Sequence, residues 1–273
     1  MLIGYDTESG TVVEASHEPL KILEKSINAL INLHVKEEVP ATFFIVGRTL
    51  ELGHLILRKL TEYRDLFDIQ QHTYSHLPLK SIRPKTDAAA VTNDFGVNGG
   101  KVSEIAKEVR KTNVLISKYL DSDCFGIRGP WGYYLGLSDK PGVLGVMRDN
   151  GICFTSTYLR NKDDFFPVPM SVQPFTYRRQ GFPEIMEIPS QDWIDCVWRT
   201  FYGWGRTNAF SDHLSNVLTK LSKSNSRVWG TCFHDWSVVM LDPNVRIMKN
   251  FFQQAKKKKI EILSYGGYYK SNR

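Results

Sequence analysis

The chain has 273 residues, 42% of them hydrophobic, enough to bury a large core in one unit of α/β-barrel size, so residues 1–273 are expected to form a single domain. The net charge of +6 is modest, and the densest basic run, Lys256-Lys257-Lys258-Lys259, falls where an amphipathic helix should end. Lysines there complement the helix dipole, which argues against a nucleic-acid partner. Cys124, Cys153, Cys196 and Cys232 have no C-x-x-C pairing, so they read as thiols of a reducing compartment rather than a disulfide framework or zinc ribbon. No apolar stretch approaches the roughly 18 residues of a membrane span, and the first residues lack a basic region followed by an apolar core. A cytoplasmic protein without an integral membrane segment is expected, and removal of an upstream leader would leave the same pattern.

In chain order, Leu2-Ile3-Gly4-Tyr5 reads as a short buried strand running into Asp6-Thr7-Glu8-Ser9-Gly10. Paired acids at a strand end can bind a metal or act as acid and base; the same pattern also suits a solvated turn. Pro19 opens a segment whose Leu20, Leu23, Ile27, Leu30 and Ile31 recur at helical spacing. Residues 41–47 read as a second buried strand, and residues 50–63 as a helix. A third strand, built on Leu66-Phe67-Asp68-Ile69, delivers His72 and His76. Histidines four apart lie about 5–6 Å apart at Cβ on one helical turn, close enough to share a divalent ion. Pro78 forbids a long helix after them, which places the pair in a short loop at a strand end.

Residues 81–100 carry Pro84, Asn93, Asn98 and Gly99-Gly100 and read mostly as loop, with room for one helical turn. A long helix is predicted over 102–120, then a strand over 124–127 ending on Arg128-Gly129-Pro130-Trp131-Gly132. An arginine there can pair with a site carboxylate and hold its pKa down. A helix over 143–150 and a strand over 152–155 continue the alternation, and 161–182 reads as an irregular excursion. A strand over 184–189 delivers Asp192, a helix spans 210–222, and a strand over 227–233 delivers His234. A helix over 243–257 and a closing strand over 260–263 complete the order.

Alternating strands and helices imply parallel βα units. Asp6/Glu8, His72/His76, Arg128, Asp192 and His234 sit at five successive strand ends, and in a barrel those ends open on one face. An open doubly wound sheet would instead gather function at one switch point, so a TIM-like barrel with its site at the strand C-terminal face is the expected class. Acids and histidines together suit a first-row divalent ion with positions left for water and substrate. Such an ion lowers the pKa of bound water from about 15.7 to near 7, a carboxylate takes its proton, and a histidine protonates the departing nitrogen. The chemistry implied is metal-assisted hydrolysis of an amide or ester.

These residues resemble the motifs of the polysaccharide deacetylase family, the NodB-homology domain of carbohydrate esterase family four. His72-Thr73-Tyr74-Ser75-His76 matches the family's H-[ST]-x-x-H motif, and Pro40-Ala41-Thr42-Phe43-Phe44 followed by Gly47 resembles its P-A-T-F-F segment. Arg128-Gly129-Pro130-Trp131-Gly132 matches R-x-P-[YW]-G, Asp192-Trp193 resembles the fourth motif and Phe233-His234-Asp235 the fifth. The resemblance implies a distorted (β/α)7 barrel. It implies Zn²⁺, or another ion such as Co²⁺, Mn²⁺ or Ni²⁺, on His72, His76 and one acid. It further implies Asp6 as general base, His234 as general acid, and Arg128 with Asp192 as the pair that orients them. Where many members have adjacent aspartates, this chain has Asp6-Thr7-Glu8, so Glu8 is assigned as metal ligand and the exchanged assignment with Asp6 stays open. The substrate implied is an N-acylated amino sugar or sugar-containing precursor losing an acetyl or formyl group. Two alternatives remain: a small cyclic amide of purine breakdown, as for allantoinase-like members, or an inactive carbohydrate-binding barrel. Trp131, Tyr133, Tyr134, Trp193, Trp198, Trp204 and Trp236 are expected near the mouth, where they could stack on sugar rings.

Overall fold

Short, mostly buried strands separated by amphipathic helices set the architecture of the computed structural model, which describes residues 1–8, 18–224 and 227–273. Ser9 and Gly10 of the predicted acidic turn lie outside the described residues. The first half runs β1 (Gly4–Thr7), α1 (Pro19–Glu37), β2 (Ala41–Ile45), α2 (Gly47–Leu57), β3 (Phe67–Gln71), α3 (Ala88–Val91), α4 (Val102–Leu120), β4 (Gly126–Tyr133) and α5 (Pro141–Asp149). The second half runs β5 (Phe154–Tyr158), β6 (Phe175–Tyr177), β7 (Phe182–Glu187), α6 (Asp195–Tyr202), α7 (Thr207–Ser222), β8 (Phe233–His234), α8 (Asp235–Met240), α9 (Arg246–Lys257) and α10 (Tyr265–Asn272).

The sheet order is β6-β7-β5-β4-β3-β2-β1-β8, parallel throughout except for the β6–β7 pair. Strands covered on both faces are buried at every position, which is why β2 reads as a nearly continuous apolar run and β1 leads its buried Tyr5 directly into Asp6 and Thr7. The segment after β7 meets the segment that leads into β8 through single backbone hydrogen bonds, Gln191 N–H to the Gly230 carbonyl at 3.0 Å and Asp195 N–H to that of Cys232 at 3.3 Å. The seven parallel strands therefore form a distorted (β/α)7 barrel, the distortion being this missing ladder. Register decides the site, because Asp6 on β1 pairs with His234 on β8 and with Phe44 on β2.

The structure departs from the sequence reading in several places. The expected strand over 260–263 makes one parallel bridge, Leu263 to Leu2, because Ser264 caps α10 and turns the chain into a helix. The strand over 227–233 contracts to Phe233–His234 with a bridge at Gly230. Helices α6, α8 and α10 are short, and hydrophobic periodicity does not announce elements of one or two turns. His72 and His76 sit in no helical turn, since Thr73 and His76 adopt left-handed backbone (φ 56° and 62°).

Between α1, α9 and the sheet lies His34, fully buried against Tyr5, Phe67 and Phe252. Its Nδ1–H donates to the Val39 carbonyl (2.6 Å), leaving Nε2 to accept from the Tyr5 hydroxyl (2.9 Å). Burial pushes its pKa down to about 4 from the ordinary 6.5, with the Val39 hydrogen bond opposing that shift. The unfolded chain then takes up the proton first, so this contribution to stability is complete above about pH 6.5 and lost as pH falls towards 4. The loss amounts to about 3 kcal/mol. Calorimetry of the wild type and His34→Gln over that range should give a steeper fall in Tm for the wild type; parallel curves would refute it.

Candidate metal centre and active site

Period-two alternation along β1 sends Asp6 and Glu8 to one side and Thr7 to the other, and both acids are buried. The loop after β3 brings the histidines to them. Its carbonyls at Thr73 and Tyr74 accept the first N–H groups of α2, from Gly47 (2.9 Å) and Arg48 (2.8 Å), which locks the loop to a helix N-terminus. A side chain at position 47 would place a Cβ 2.9 Å from Tyr74 and from Thr112 Oγ1, so the close approach needs glycine.

His72 Nδ1–H donates to the Arg128 carbonyl at 2.8 Å, fixing the ring so that Nε2 faces Glu8 Oε2 (3.9 Å) and Asp6 Oδ2 (3.6 Å). His76 Nε2 lies 3.0 Å from the same Glu8 oxygen. The donor atoms of Glu8, His72 and His76 all fall within 4.8 Å of one another. A tetrahedral ion with bonds of about 2.0–2.2 Å needs donors about 3.3–3.6 Å apart. Separations of 3.0 and 3.9 Å bracket that range, so the residues fit a divalent ion. Burial pushes His72 down to about 4, aided by neighbouring His76 and opposed by Asp6 and Glu8, so its Nε2 keeps the lone pair that a metal requires.

Arg128 is fully buried beneath Asp6 and gives it Nη1 at 2.8 Å. The other guanidinium nitrogens meet Ser156 Oγ (3.3 Å), Ser190 Oγ (3.2 Å) and the Thr231 carbonyl (3.1 Å), with Phe44 and Tyr265 rings at 4.2 and 4.8 Å. Burial alone would raise the Asp6 pKa; Arg128, with His72 and His234, more than offsets it and holds the carboxyl below its usual range. Across the cavity, His234 Nδ1 lies 2.6 Å from Asp195 Oδ1, and its Nε2 faces Glu8 Oε1 at 3.7 Å. Burial opposes charging of His234, yet its pKa is raised well above the ordinary value by Cys196, Asp195 and Glu8. Of these we credit Asp195, because burial keeps the Cys196 thiol protonated.

The structure thus gathers Asp6, Glu8, His72, His76, Arg128 and His234. It does not bring Asp192 to them: that carboxylate lies 2.6 Å from His213 Nε2 on α7. Asp195, three residues on at the start of α6, stands where Asp192 was expected. The motif resemblance picks Asp192 of the two aspartates in this post-strand segment, and nothing in their spacing points to Asp195. Sequence reading also missed Cys232, whose thiol lies 3.3 Å from Asp6 Oδ2, and Arg160 in the cavity wall. Of the aromatic residues expected at the mouth, Trp131 and Trp236 line the cavity, and Trp204 stacks on Trp236. Tyr133 and Trp198 are buried, Trp193 packs against Phe165, Phe166 and Phe201, and Tyr134 meets Tyr158 edge-on. The cavity holds about 240 Å³, with acids and histidines at its base and Leu159, Phe166, Ile194 and Val197 in its walls.

The family model for polysaccharide deacetylase matches residues 19–140, which carry His72, His76 and Arg128. A solved structure from Mycobacterium smegmatis, assigned as a polysaccharide deacetylase, superposes with a TM-score of 0.67 at 14% identity, covering 99% of this chain and 87% of that one. The chain resembles the polysaccharide deacetylase family over residues 19–140 and shares the fold of solved deacetylases along its length. The same fold recurs in a family 4 carbohydrate esterase from Streptomyces lividans in complex with acetate (TM-score 0.54, 13% identity, 97% of this chain and 90% of that one). It recurs also in BA3943 of Bacillus anthracis, a pseudoenzyme of carbohydrate esterase family four (TM-score 0.55, 11% identity, 97% and 64%). No curated protein matches the chain. Among the described residues, no helix is long and apolar enough to cross a membrane.

Proposed function

We propose that this protein is a metal-dependent hydrolase that removes an N-acyl group, acetyl or formyl, from an amino sugar or sugar-containing precursor. The observation that carries the reading is the convergence of Glu8, His72 and His76 beside the Asp6–Arg128 pair and across from the His234–Asp195 pair. Glu8, His72 and His76 would hold Zn²⁺ or another first-row divalent ion such as Co²⁺, Mn²⁺ or Ni²⁺. When bound, the ion would polarise the acyl carbonyl and acidify water. Asp6, one oxygen fixed by Arg128 and kept ionised, takes the proton from the attacking water. His234, its ring held by Asp195 through Nδ1, returns a proton from Nε2 to the departing nitrogen. Arg128 orients the base, and we give the orientation of the acid to Asp195 rather than Asp192.

The cavity favours a second reading on the same chemistry. At about 240 Å³ it is smaller than the roughly 300–1,000 Å³ of sites for drug-sized ligands, which suits a small cyclic amide of the allantoin type. Purified protein should carry stoichiometric metal by elemental analysis and hydrolyse either N-acetylglucosamine oligomers or allantoin once loaded with Zn²⁺ or Co²⁺. Turnover of allantoin alone would sink the sugar reading. Failure to bind metal and to hydrolyse either would leave an inactive barrel.

A further inference from the structure

Arg160, at the end of the segment that follows β5, is only 2% exposed and touches three different loops. Its Nε donates to the Trp131 carbonyl (3.0 Å) in the turn of β4, and its Nη1 to the Asp164 carbonyl (2.7 Å). The same Nη1 pairs with Asp94 Oδ2 at 2.6 Å, on the arm that follows α3, and the Phe166 ring lies 4.9 Å from the guanidinium. The arm and the turn after Arg160 are stitched at two more points, Arg83 N–H to Asp164 Oδ2 (2.5 Å) and Lys85 N–H to the Asp163 carbonyl (2.9 Å). Thr92, Asn93 and Asp94 of the arm, with Trp131, Arg160 and Phe166, wall the cavity above the metal donors.

From this geometry we infer that the Arg160–Asp94 pair is a latch that closes the cavity around one N-acylated unit. The enzyme then acts on a free small amide or on the terminal residue of a chain, and not within a polymer. The inference rests on the hydrolase reading above and narrows its substrate class. Cleavage inside a polymer needs a groove that continues past the reacting centre on both sides. Here one side is occupied by residues 92–94, and the pair holding them is buried, so opening it would leave an uncompensated charge. Leu159, Phe166, Ile194 and Val197 offer a sugar chain no hydrogen-bonding side chains, whereas they suit a compact acyl group.

Asp94→Ala releases the latch without touching a metal donor. The ratio of kcat/KM on an N-acetylglucosamine oligomer to that on a single-unit amide should rise roughly tenfold or more in the variant. Mass spectrometry should place any wild-type deacetylation of the oligomer at its terminus. An unchanged ratio, or internal deacetylation by the wild type, would overturn the inference. Closure is also tested without catalysis, because Cys196 lines the cavity. At alkaline pH, where even the burial-raised thiol supplies thiolate, N-ethylmaleimide should label Cys196 in both proteins, and a polyethylene-glycol maleimide only in Asp94→Ala; equal labelling by the bulky reagent would overturn the latch. If the wild type hydrolyses nothing, the hydrolase reading fails while the labelling still decides closure. Asp94→Asn, which keeps an acceptor oxygen, serves should the alanine variant unfold and is expected to label at an intermediate rate.

Discussion

Asp6→Asn should abolish hydrolysis while the metal content of the purified protein stays stoichiometric, and His76→Ala should lose both. The loss of a general base costs about 10²–10⁴ in rate. An asparagine oxygen can still accept from Arg128 Nη1, now 2.8 Å from Asp6 Oδ1, so the geometry is largely kept. The charge is not. Arg128 is wholly buried, and removing the carboxylate beside it leaves an uncompensated guanidinium, which costs about 3–5 kcal/mol of stability. Asp6→Asn should therefore also melt well below the wild type, whereas His76→Ala, at the partly exposed edge of the donor trio, should melt near the metal-free wild type. Elemental analysis, steady-state kinetics and calorimetry on the two variants separate these effects. Metal lost in Asp6→Asn but kept in Glu8→Gln would exchange the roles given to the two acids.

How much of this was legible in the chain can be judged from individual residues. Apolar runs four or five residues long, punctuated by Gly and Pro, announce buried strands, and parallel βα order then sends their C-terminal ends to one face. That is why Asp6, Glu8, His72, His76, Arg128 and His234 could be named together although they span most of the sequence. The helix-like spacing of the histidines was the wrong local reason for a real proximity. Two left-handed residues, Thr73 and His76, bend the loop so that both rings reach Glu8. Asp192 and Asp195 show where pattern stops: α6 begins at Asp195, and only the tertiary placement of that helix turns one aspartate to His234 and the other to His213. Arg160 was invisible for the same reason, since its three partners come from loops up to 66 positions away.

The C-terminal helix yields the last large effect, at the end of the barrel opposite the cavity. Ser264 caps α10, Tyr265 N–H donates to Thr42 Oγ1 (2.8 Å), and Gly266 N–H to Asp68 Oδ2 (2.9 Å), so the helix start is pinned under β2 and β3. From there the fully buried Tyr265 ring reaches Phe44 (5.3 Å) and the Arg128 guanidinium (4.8 Å). Its hydroxyl donates to the Thr231 carbonyl (2.9 Å) and lies 2.8 Å from Ser190 Oγ, two groups that also receive Arg128 Nη2. Tyr265 is thus the floor on which the arginine stands, and through it the base. Truncation to alanine should leave a cavity costing about 3–5 kcal/mol. With the guanidinium free to sink, kcat should fall while KM and metal content hold. Tyr265→Phe keeps the ring and should recover most of kcat, losing about 1–2 kcal/mol for the missing hydroxyl. A purely structural role would predict the stability loss without the kcat loss, so a folded Tyr265→Ala protein with wild-type kcat would reject the coupling from this helix to Asp6.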